Sequence, residues 1–336
     1  MILVTGGTGL VGAHLLYHLS LENDVVTAIH RENSNLQAVK KVFSYYTKDF
    51  EHLFNKIKWI EADITDICQL EIAFENITEV YHSAALVSFN PKDYKAMRKI
   101  NIEGTTNIVN FCINKKVQKL CFVSSIATIE KSINNKVIDE EGEWNVEKNN
   151  YGYAITKYGA EMEVWRASQE GIDVVIVNPG VILGAGFWNA GSGKIFTKIF
   201  HGLEFYTEGK TGFVGVKDVV KTMVFLTNST IKNERFILVS ENKSYKEVFF
   251  LIADALKKKR PYKRIHRWKM ELLWRGSSFL SIITGKEPLL SKYAAKSANS
   301  TSLYTSKKVQ EILPFKFQTI EAVVKEVSEN YPTTLS

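Results

Sequence analysis

The sequence of 336 residues has few cysteines and few prolines, and it lacks a long hydrophobic run. Its three cysteines, Cys68, Cys112 and Cys121, are widely separated, which indicates neither a disulfide framework nor a metal site. We therefore expect free, buried thiols. No segment reaches the roughly 18 consecutive apolar residues of a membrane span, and the first apolar run is too short and too rich in glycine for a secretory signal. These absences favour a globular protein of the cytoplasm.

A broad excess of either charge is also lacking. The formal net charge is +7, but the segment LKKKRPYKRIHRWKMELLWR at 256–275 carries nine Lys or Arg against the single Glu271, and this accounts for the whole excess. Such a local cluster argues against a nucleic-acid-binding face. For 256–284 we favour a solvated loop followed by a packed helix, because Pro261 separates the charges from the apolar part. Contact with an anionic membrane surface and binding of a phosphorylated substrate stay open.

The first half of the chain alternates short apolar runs with longer helical patterns, which is typical of parallel βαβ units. Helices are expected at about 10–21, 66–74 and 101–116. The predicted strands are 2–5, 25–29, 57–62, 80–83, 120–124 and 174–177.

This alternation predicts an α/β fold with an open, doubly wound parallel sheet of the Rossmann type, because each crossover helix covers one face of the sheet. It breaks down after the Asn-Pro-Gly at 178–180. We therefore predict a dinucleotide-binding domain over 1–178 and a smaller, mainly substrate-binding C-terminal lobe over 179–336. The glycine-dense stretch 180–194 is expected to be a loop, and RFILVS at 235–240 is expected to join the sheet as a late strand.

The opening stretch MILVTGGTGLVG places Gly6, Gly9 and Gly12 in the spacing G-x-x-G-x-x-G between a predicted strand and a predicted helix. Gly6 permits the sharp turn, Gly9 lets backbone amides contact a pyrophosphate, and Gly12 lets the helix lie against the strand. The helix N-terminus adds unsatisfied N–H groups and the positive end of its dipole. Because the motif has the required context on both sides, it predicts a dinucleotide cofactor.

The end of the second predicted strand bears on which dinucleotide is bound. An acid at that place would accept hydrogen bonds from the adenosine ribose, but the sequence has His30 followed by Arg31. A guanidinium suits a 2′-phosphate, although Glu32 lies close enough to leave NAD open. We predict NADP as the preferred cofactor and NAD as the alternative.

Tyr153 and Lys157 in YGYAITKYGAE are four residues apart and therefore share one face of a predicted helix. A tyrosine with an ordinary pKa near 10 is a poor acid or base at neutral pH. A close ammonium would lower that pKa by favouring the phenolate. The same spacing occurs by chance on many solvated helices, so the pair alone is weak support for a catalytic site.

Together with motifs elsewhere, this pair makes the sequence resemble the extended short-chain dehydrogenase/reductase superfamily. The matching features occur in the family's order over about 180 residues: T-G-x-x-G-x-x-G at 5–12, an acid at Asp63, H-x-A-A at 82–85, N-x-x-G-T at 101–105, the pair Ser124 and Ser125, and Y-x-x-x-K at 153–157. VIDEEGEWN at 137–145 and NPGVILGAG at 178–186 resemble dihydroflavonol reductase and 3β-hydroxysteroid dehydrogenase-like members. Sugar-nucleotide branches usually carry S-S-x-x-V-Y-G, where this chain has SSIATIE.

The resemblance implies roles for individual residues. Tyr153 would exchange a proton with a substrate oxygen, Lys157 would hold the nicotinamide ribose and lower the pKa of Tyr153, and Ser125 would hydrogen-bond the same substrate oxygen. Family members are often dimers through two helices of the first domain, so a homodimer is expected. The implied cofactor contacts are Gly6, Thr8, Gly9, Leu10, Val11, Gly12, Arg31, Asp63, Ile64, Ala84, Ala85, Tyr153, Lys157, Pro179 and Val181.

We therefore predict an enzyme, an NAD(P)-dependent oxidoreductase that interconverts a carbonyl and a secondary alcohol on a small organic molecule. Its substrate pocket would be apolar, and the candidates are Val87, Phe89, Phe187 and Trp188, the last two in a loop that closes over the site. One alternative is a nucleotide-sugar epimerase or dehydratase with a tightly bound cofactor. A second is a non-catalytic NAD(P)-sensing protein, which would have no need of a proton donor.

Overall fold

The computed structural model describes residues 1–131, 137–145, 150–284, 295 and 298–332. Its largest element is a sheet of seven parallel strands in the spatial order β3, β2, β1, β4, β5, β6, β10. This is the doubly wound order with one added strand, so the predicted fold class is confirmed. In chain order the strands are β1 (Ile2–Thr5), β2 (Val26–His30), β3 (Ile57–Glu61), β4 (Glu79–His82), β5 (Lys119–Val123), β6 (Asp173–Pro179), β7 (Val181–Leu183), β8 (Phe205–Tyr206), β9 (Lys210–Gly215), β10 (Glu234–Leu238), β11 (Glu241–Ser244) and β12 (Lys263–Arg264).

Helices cover both faces of the large sheet. Alternate strand residues point to opposite faces, so Val4 contributes to a core with the helices at 10–22 and 216–228, and Leu3 to a core with those at 104–114 and 152–169. The α-helices of the described residues are α1 (Leu10–Glu22), α2 (Leu36–Ser44), α3 (Phe50–Phe54), α4 (Ile67–Ala73), α5 (Tyr94–Met97), α6 (Gly104–Asn114), α7 (Gly152–Gln169), α8 (Gly193–Phe200), α9 (Val216–Asn228), α10 (Tyr245–Ala255), α11 (Arg267–Thr284), α12 (Lys307–Gln310) and α13 (Ile320–Glu329).

The C-terminal half forms a smaller unit of its own around a three-stranded sheet in the order β11, β9, β7. Helices α8, α10 and α13 pack on it and bury an apolar core that includes Phe196, Phe213 and Ile252. Strand β10 leaves this half of the chain and pairs with β6 in the large sheet, at the place predicted for 235–240. Residues 285–294, which fall in the predicted substrate lobe, lie outside the described part of the chain.

The glycine-dense stretch 180–194 is more ordered than the predicted loop. Strand β7 begins at Val181 and pairs with β9, and α8 begins at Gly193. The glycines serve close packing here, because a Cβ on Gly180 would overlap the carbonyl oxygen of Gly212. A second correction concerns the thiols: Cys112 and Cys121 are buried as expected, whereas Cys68 lies exposed near the start of α4.

The basic segment forms a loop, the short strand β12 and the start of α11. Several of its cations are paired on the surface: Arg260 donates two hydrogen bonds to Asp254 at 2.7 and 2.6 Å, and Lys263 and Arg264 each pair with a glutamate at 2.5 Å. These pairs suit the expected solvated loop. The side chains at 279–284 lie outside the described part of the chain, and none of the described helices is long and apolar enough to span a membrane.

Candidate active site

The predicted site residues gather at the carboxyl ends of the parallel strands. Gly6 follows β1, Ala84 follows β4, Ser125 follows β5, and Pro179 ends β6. Strands β1 and β4 are neighbours at the point where the strand order reverses, which is where ligands bind in open α/β sheets. The topology therefore brings the glycine turn and the catalytic candidates to one edge of the sheet.

The three glycines of the turn differ in what the surrounding protein demands of them. Gly6 has a φ of +70°, and a Cβ there would lie 2.6 Å from the amide nitrogen of Ala84. A Cβ on Gly12 would overlap the carbonyl oxygen of Gly6, whereas one on Gly9 would lie at an ordinary 3.4 Å from that oxygen. Gly6 and Gly12 are thus required for packing, and Gly9 is the position at which a ligand, not the fold, would require glycine.

The start of α1 fits a dinucleotide pyrophosphate. Gly9 is its N-cap and no side chain caps the helix, so its first N–H groups face outward with the positive end of the dipole. A cavity of about 230 Å³ opens in front of the turn. The predicted cofactor contacts that line it are Gly6, Thr8, Gly9, Arg31, Asp63, Ile64, Ala84 and Ala85. Leu10, Val11 and Gly12 form the first turn of α1, and Pro179 and Val181 lie where β6 ends and β7 begins.

At one end of this cavity Arg31 is exposed, and no described residue forms an ion pair with its guanidinium. Its backbone N–H donates to Ser34 Oγ at 3.0 Å, and Ser34 N–H donates back to the Arg31 carbonyl oxygen at 2.8 Å. Thr8 Oγ1 lies 3.5 Å from Ser34 Oγ. A cation and two hydroxyl groups thus stand together beside the glycine turn, and the sequence analysis had missed Ser34, whose signal was its place in the loop after β2.

Asp63 lies at another wall of the cavity and is held in place by its own turn. Its Oδ1 accepts hydrogen bonds from Thr65 N–H at 2.8 Å and Thr65 Oγ1 at 2.7 Å. Within the described residues Oδ2 has no hydrogen-bond partner. The carboxylate is therefore oriented with one oxygen available to a ligand, as the family resemblance implies for an adenine contact.

Two buried polar residues of the family motifs, His82 and Asn101, form hydrogen bonds that hold the segments next to the site in place. His82 is fully buried between Thr5 Oγ1 at 2.6 Å and Thr105 Oγ1 at 2.9 Å, and burial lowers its pKa to about 3. Asn101 bonds both backbone groups of Leu86, at 2.7 and 3.0 Å, and donates to Thr156 Oγ1 at 3.0 Å. These contacts fix the loop after β4 against α7.

Ser125 caps the short 3₁₀ turn Ile126–Thr128, and its Oγ accepts the Ala127 N–H at 3.1 Å. The Ser125 side chain lies near the Tyr153 hydroxyl group and acts to lower the Tyr153 pKa. Ser125 and Tyr153 belong to segments that the chain brings together only through the pairing of β5 with β6 and the packing of α7. The structure therefore brings these two predicted catalytic side chains near each other.

Lys157 lies one helical turn beyond Tyr153 and is buried, 2% exposed. Its Nζ donates to the Val123 carbonyl oxygen at 2.6 Å and lies 4.2 Å from the centroid of the Phe122 ring. Burial lowers the pKa of Lys157 to about 7, opposed by the charge of Glu161. Burial raises the pKa of Tyr153 to about 12, opposed by the Ser125 hydrogen bond. In this arrangement burial outweighs the lowering of the tyrosine pKa that the sequence predicts.

Two aromatic rings, those of Phe89 and Tyr151, lie near the Tyr153 ring. Phe89 lies 6.4 Å from the Tyr153 ring and stacks on Tyr151 at 5.6 Å, and Tyr151 lies 6.1 Å from Tyr153. Phe89 and Tyr151 also line a cavity of about 320 Å³ with Tyr94 and other residues. Phe89 and Val87 are exposed, at 42% and 56%. Sequence reasoning had missed Tyr151, although it stands two residues before Tyr153.

Trp188 and Phe187, the two loop aromatic residues predicted for the substrate pocket, pack against apolar cores. Trp188 is 7% exposed and packs against Phe196 and Tyr331, with ring centroids 6.0 and 4.8 Å away. Phe187 packs against the large apolar core beside α1. Strand β7 and helix α8 hold the stretch at both ends, with Trp188 buried in one core and Phe187 partly buried against another.

Comparison with known proteins places this geometry in a family. A model described as Male sterility protein, of the NAD-binding type, matches residues 4–226, from β1 to the end of α9. The chain belongs to this NAD-binding family. The match covers strands β1 to β6 of the large sheet, the glycine turn and the Ser125, Tyr153 and Lys157 segments. The predicted resemblance to extended short-chain dehydrogenases/reductases is confirmed.

Two curated relatives of this chain are named as reductases. A Synechocystis protein with a provisional dihydroflavonol 4-reductase name is 26% identical, covering 92% of this chain and 88% of its own length. The anthocyanidin reductase of Arabidopsis thaliana is 29% identical, covering 77% and 80%. These names support an oxidoreductase.

Solved structures share the whole fold. The crystal structure of gox2253 has a TM-score of 0.81 at 21% identity and covers 98% of this chain and 97% of its own. The UDP-glucose 4-epimerase of Thermotoga maritima has a TM-score of 0.75 at 20% identity, with the same coverage. At such identities the likeness concerns the fold, which hosts both reductases and epimerases.

Proposed function

We propose that this protein is an NADP-preferring reductase that interconverts a carbonyl and a secondary alcohol on a small organic substrate. The observation that carries the proposal is that Ser125, Tyr153 and the buried Lys157 come together at the same sheet edge as the glycine turn. A binding protein without catalysis would need the turn but not these three side chains.

The chain's own residues supply the proton and hold the substrate oxygen. A bound nicotinamide dinucleotide supplies the hydride in reduction and takes it in oxidation. With a pKa raised to about 12, Tyr153 keeps its proton at neutral pH and can donate it to a carbonyl oxygen as negative charge develops there. Ser125 Oγ, whose lone pair is engaged by the Ala127 N–H, directs its own proton toward the same oxygen. A protonated Lys157 stabilises the phenolate that Tyr153 leaves behind.

The preference for NADP rests on the exposed Arg31 guanidinium beside Ser34 and Thr8 at the cavity. Charge-assisted hydrogen bonds from a guanidinium to a phosphate are among the stronger polar contacts in proteins. Glu32 is the residue that would serve NAD, by accepting hydrogen bonds from the ribose.

For the substrate we propose a carbonyl compound with a flat apolar region, since Phe89 and Tyr151 present ring faces next to Tyr153. The two relatives named above are reductases of flavonoid-type compounds by name, and this supports an aromatic substrate. The lobe from 179 onward would mainly supply the remaining substrate contacts.

We also propose that the chain works in the cytoplasm as a homodimer. Helices α6 and α7 pack side by side on one face of the sheet, and Met162 of α7 is 37% exposed there. An apolar side chain on that outer face suits a helix-to-helix interface. Light scattering of the purified protein measures the oligomeric state directly.

The function is tested by following NADPH and NADH oxidation at the nicotinamide absorbance with a dihydroflavonol, a steroid ketone and a simple aromatic aldehyde. Steady oxidation with one class establishes a reductase and names its substrate class. Nucleotide sugars are the second arm: their conversion without net cofactor oxidation would replace the proposal by an epimerase or dehydratase. Tight cofactor binding with no conversion in either arm would favour a sensing protein.

A further inference from the structure

A fully buried carboxylate lies behind the proposed catalytic pair. Glu161 of α7 is 0% exposed. Its Oε2 accepts hydrogen bonds from Ser124 Oγ at 2.5 Å, Thr128 Oγ1 at 2.8 Å and Asn178 Nδ2 at 3.0 Å. Its Oε1 lies 3.3 Å from Nη1 of Arg235 on β10. A buried charge is stable only when it is paired and hydrogen-bonded in this way.

The partners of Glu161 are the residues that shape the turn of Ser125. Ser124 precedes Ser125, and Thr128 ends the 3₁₀ turn that Ser125 caps. The Ser125 carbonyl oxygen lies 2.9 Å from Thr128 Oγ1 and 3.2 Å from Asn178 Nδ2. The Glu161 carboxylate thus binds polar side chains that precede and follow Ser125 in the chain.

Glu161 also continues the catalytic face of α7. Tyr153, Lys157 and Glu161 follow one another at intervals of four residues and lie on the same side of the helix. The charge of Glu161 opposes the effect of burial on Lys157. The other charged or titratable groups around this pair are Arg235 from β10, which faces Glu161, and His82 from β4, which is neutral and feels the Lys157 charge.

Arg235 anchors the arrangement from the edge strand β10. Its Nη2 donates to the carbonyl oxygens of Glu140 at 2.6 Å and Gly142 at 2.8 Å, and its Nε donates to that of Glu140 at 3.0 Å. The guanidinium therefore donates four hydrogen bonds to three acceptor groups, the third being the Glu161 carboxylate. This leaves Arg235 fixed in place and Glu161 held between it and the serine turn.

We propose that Glu161 is a positioning residue: it holds the Ser124–Thr128 turn so that Ser125 meets Tyr153, and it supplies the negative charge behind the Lys157 ammonium. This role rests on the proposed reductase function. Glu161 itself touches neither Ser125 Oγ nor Tyr153, so it acts through Ser124, Thr128 and Lys157.

The first test is the pH profile of kcat/KM for NADPH oxidation with whichever carbonyl of the panel is reduced. Glu161→Gln keeps an oxygen for Ser124 and Thr128 but removes the charge. We expect the basic limb of the profile to move about one pH unit lower, because an opposite charge shifts a neighbouring pKa by at least about that amount. Glu161→Asp restores the charge and should return the limb toward its original position.

Glu163→Gln is the matched control, because Glu163 lies on the same helix and pairs with Arg166 on the surface at 3.0 Å. Its profile should coincide with that of the parent chain. A Glu161→Gln variant whose rate falls by one factor at every pH, with the limb unmoved, would overturn the electrostatic role. Thr128→Val should lower kcat while the Kd of NADPH stays unchanged; an unchanged kcat would overturn the positioning of the serine turn.

The second test needs no turnover and so separates this proposal from the proposed function. Urea unfolding of the parent, Glu161→Gln, Lys157→Met and the double variant gives the coupling between the two side chains. At pH 6, where Lys157 is charged, we expect a coupling approaching about tenfold in the unfolding constant, which is one pKa unit. At pH 9 Lys157 is neutral and the coupling should vanish. Equal effects of Glu161→Gln with and without Lys157 at pH 6 would contradict the proposal.

Discussion

Ser125 and Tyr153 come together from two segments of the chain, with Ser125 on the turn after β5 and Tyr153 in the first turn of α7, and Ser125 opposes the rise of the Tyr153 pKa. Parallel strand pairing brings the turn to the sheet edge, and the packing of α7 aims the phenol at it. A substrate oxygen placed between the two hydroxyl groups would receive both hydrogen bonds. This arrangement is the basis of the first prediction.

Tyr153→Phe should lower kcat for carbonyl reduction by on the order of 10² to 10⁴ fold, since it removes the proton donor and keeps the ring. The Kd of NADPH, measured by fluorescence titration, should not change. Tyr158→Phe is the control, because Tyr158 is on the same helix but stacks on Trp144 at 4.6 Å. Retained turnover in Tyr153→Phe would remove Tyr153 from the mechanism.

Arg31→Ala should weaken the binding of NADPH by roughly 10 to 100 fold, which is the contribution of a hydrogen bond to a charged group. The affinity for NADH should stay nearly unchanged. Isothermal titration with both dinucleotides measures the ratio. The neighbouring Glu32→Gln is the informative partner variant. If Glu32→Gln weakens NADH binding and Arg31→Ala affects both dinucleotides equally, the cofactor is NAD and the proposed preference is wrong.

Gly9→Ala and Gly12→Ala should fail in different ways. A Cβ on Gly12 meets the backbone of Gly6, so Gly12→Ala should lower the melting temperature strongly. A Cβ on Gly9 has ordinary contacts within the protein, so Gly9→Ala should fold with a nearly unchanged melting temperature and lose dinucleotide affinity. Calorimetry and cofactor titration on both variants check this, and full affinity in Gly9→Ala would place the pyrophosphate elsewhere.

Replacing Phe89 and replacing Trp188 should have different effects, one on substrate binding and the other on stability. Phe89→Ala should raise KM for an aromatic carbonyl by up to about tenfold, the worth of an aromatic contact, with little effect on the melting temperature. Trp188→Ala should destabilise the fold by roughly 3–5 kcal/mol, as for a buried aromatic residue. Steady-state kinetics and urea unfolding of both variants distinguish a substrate contact from a core residue. A stable Trp188→Ala with a raised KM would return Trp188 to the substrate pocket.

The protein should lose stability in weak acid. Burial lowers the pKa of His14 and His18 to about 4 and that of His82 to about 3. Below about pH 6.5 the unfolded chain therefore binds more protons than the folded chain, and stability falls as the pH drops toward 4. Burial raises the pKa of Glu140 and Asp218, which acts in the opposite direction with smaller shifts. The urea midpoint should be lower at pH 5 than at pH 7.5; an equal or higher midpoint at pH 5 would contradict this assignment.

Much of the fold could be predicted because its signals are local. Each central strand is a short apolar run, each crossover is long enough for a helix, and the G-x-x-G-x-x-G spacing stands between β1 and α1. These patterns determine the sheet type and place a dinucleotide at one edge. Ser125, Tyr153 and Lys157 could be named as candidates only through the resemblance to the family motifs, because the spacing of Tyr153 and Lys157 alone is weak support.

Only the tertiary structure decided which distant segments of the chain are in contact. Glu161 and Arg235 are 74 residues apart, and they meet because β10 takes the place beside β6, which brings Arg235 within reach of α7. The same packing assigned Trp188 to a core and Tyr151 to the ring cluster at Tyr153, although both are aromatic residues near glycines in the sequence. The sequence by itself determines which elements form, through local propensity and periodicity. Their packing determines which side chains meet, and with it the burial that sets the pKa values of Tyr153 and Lys157.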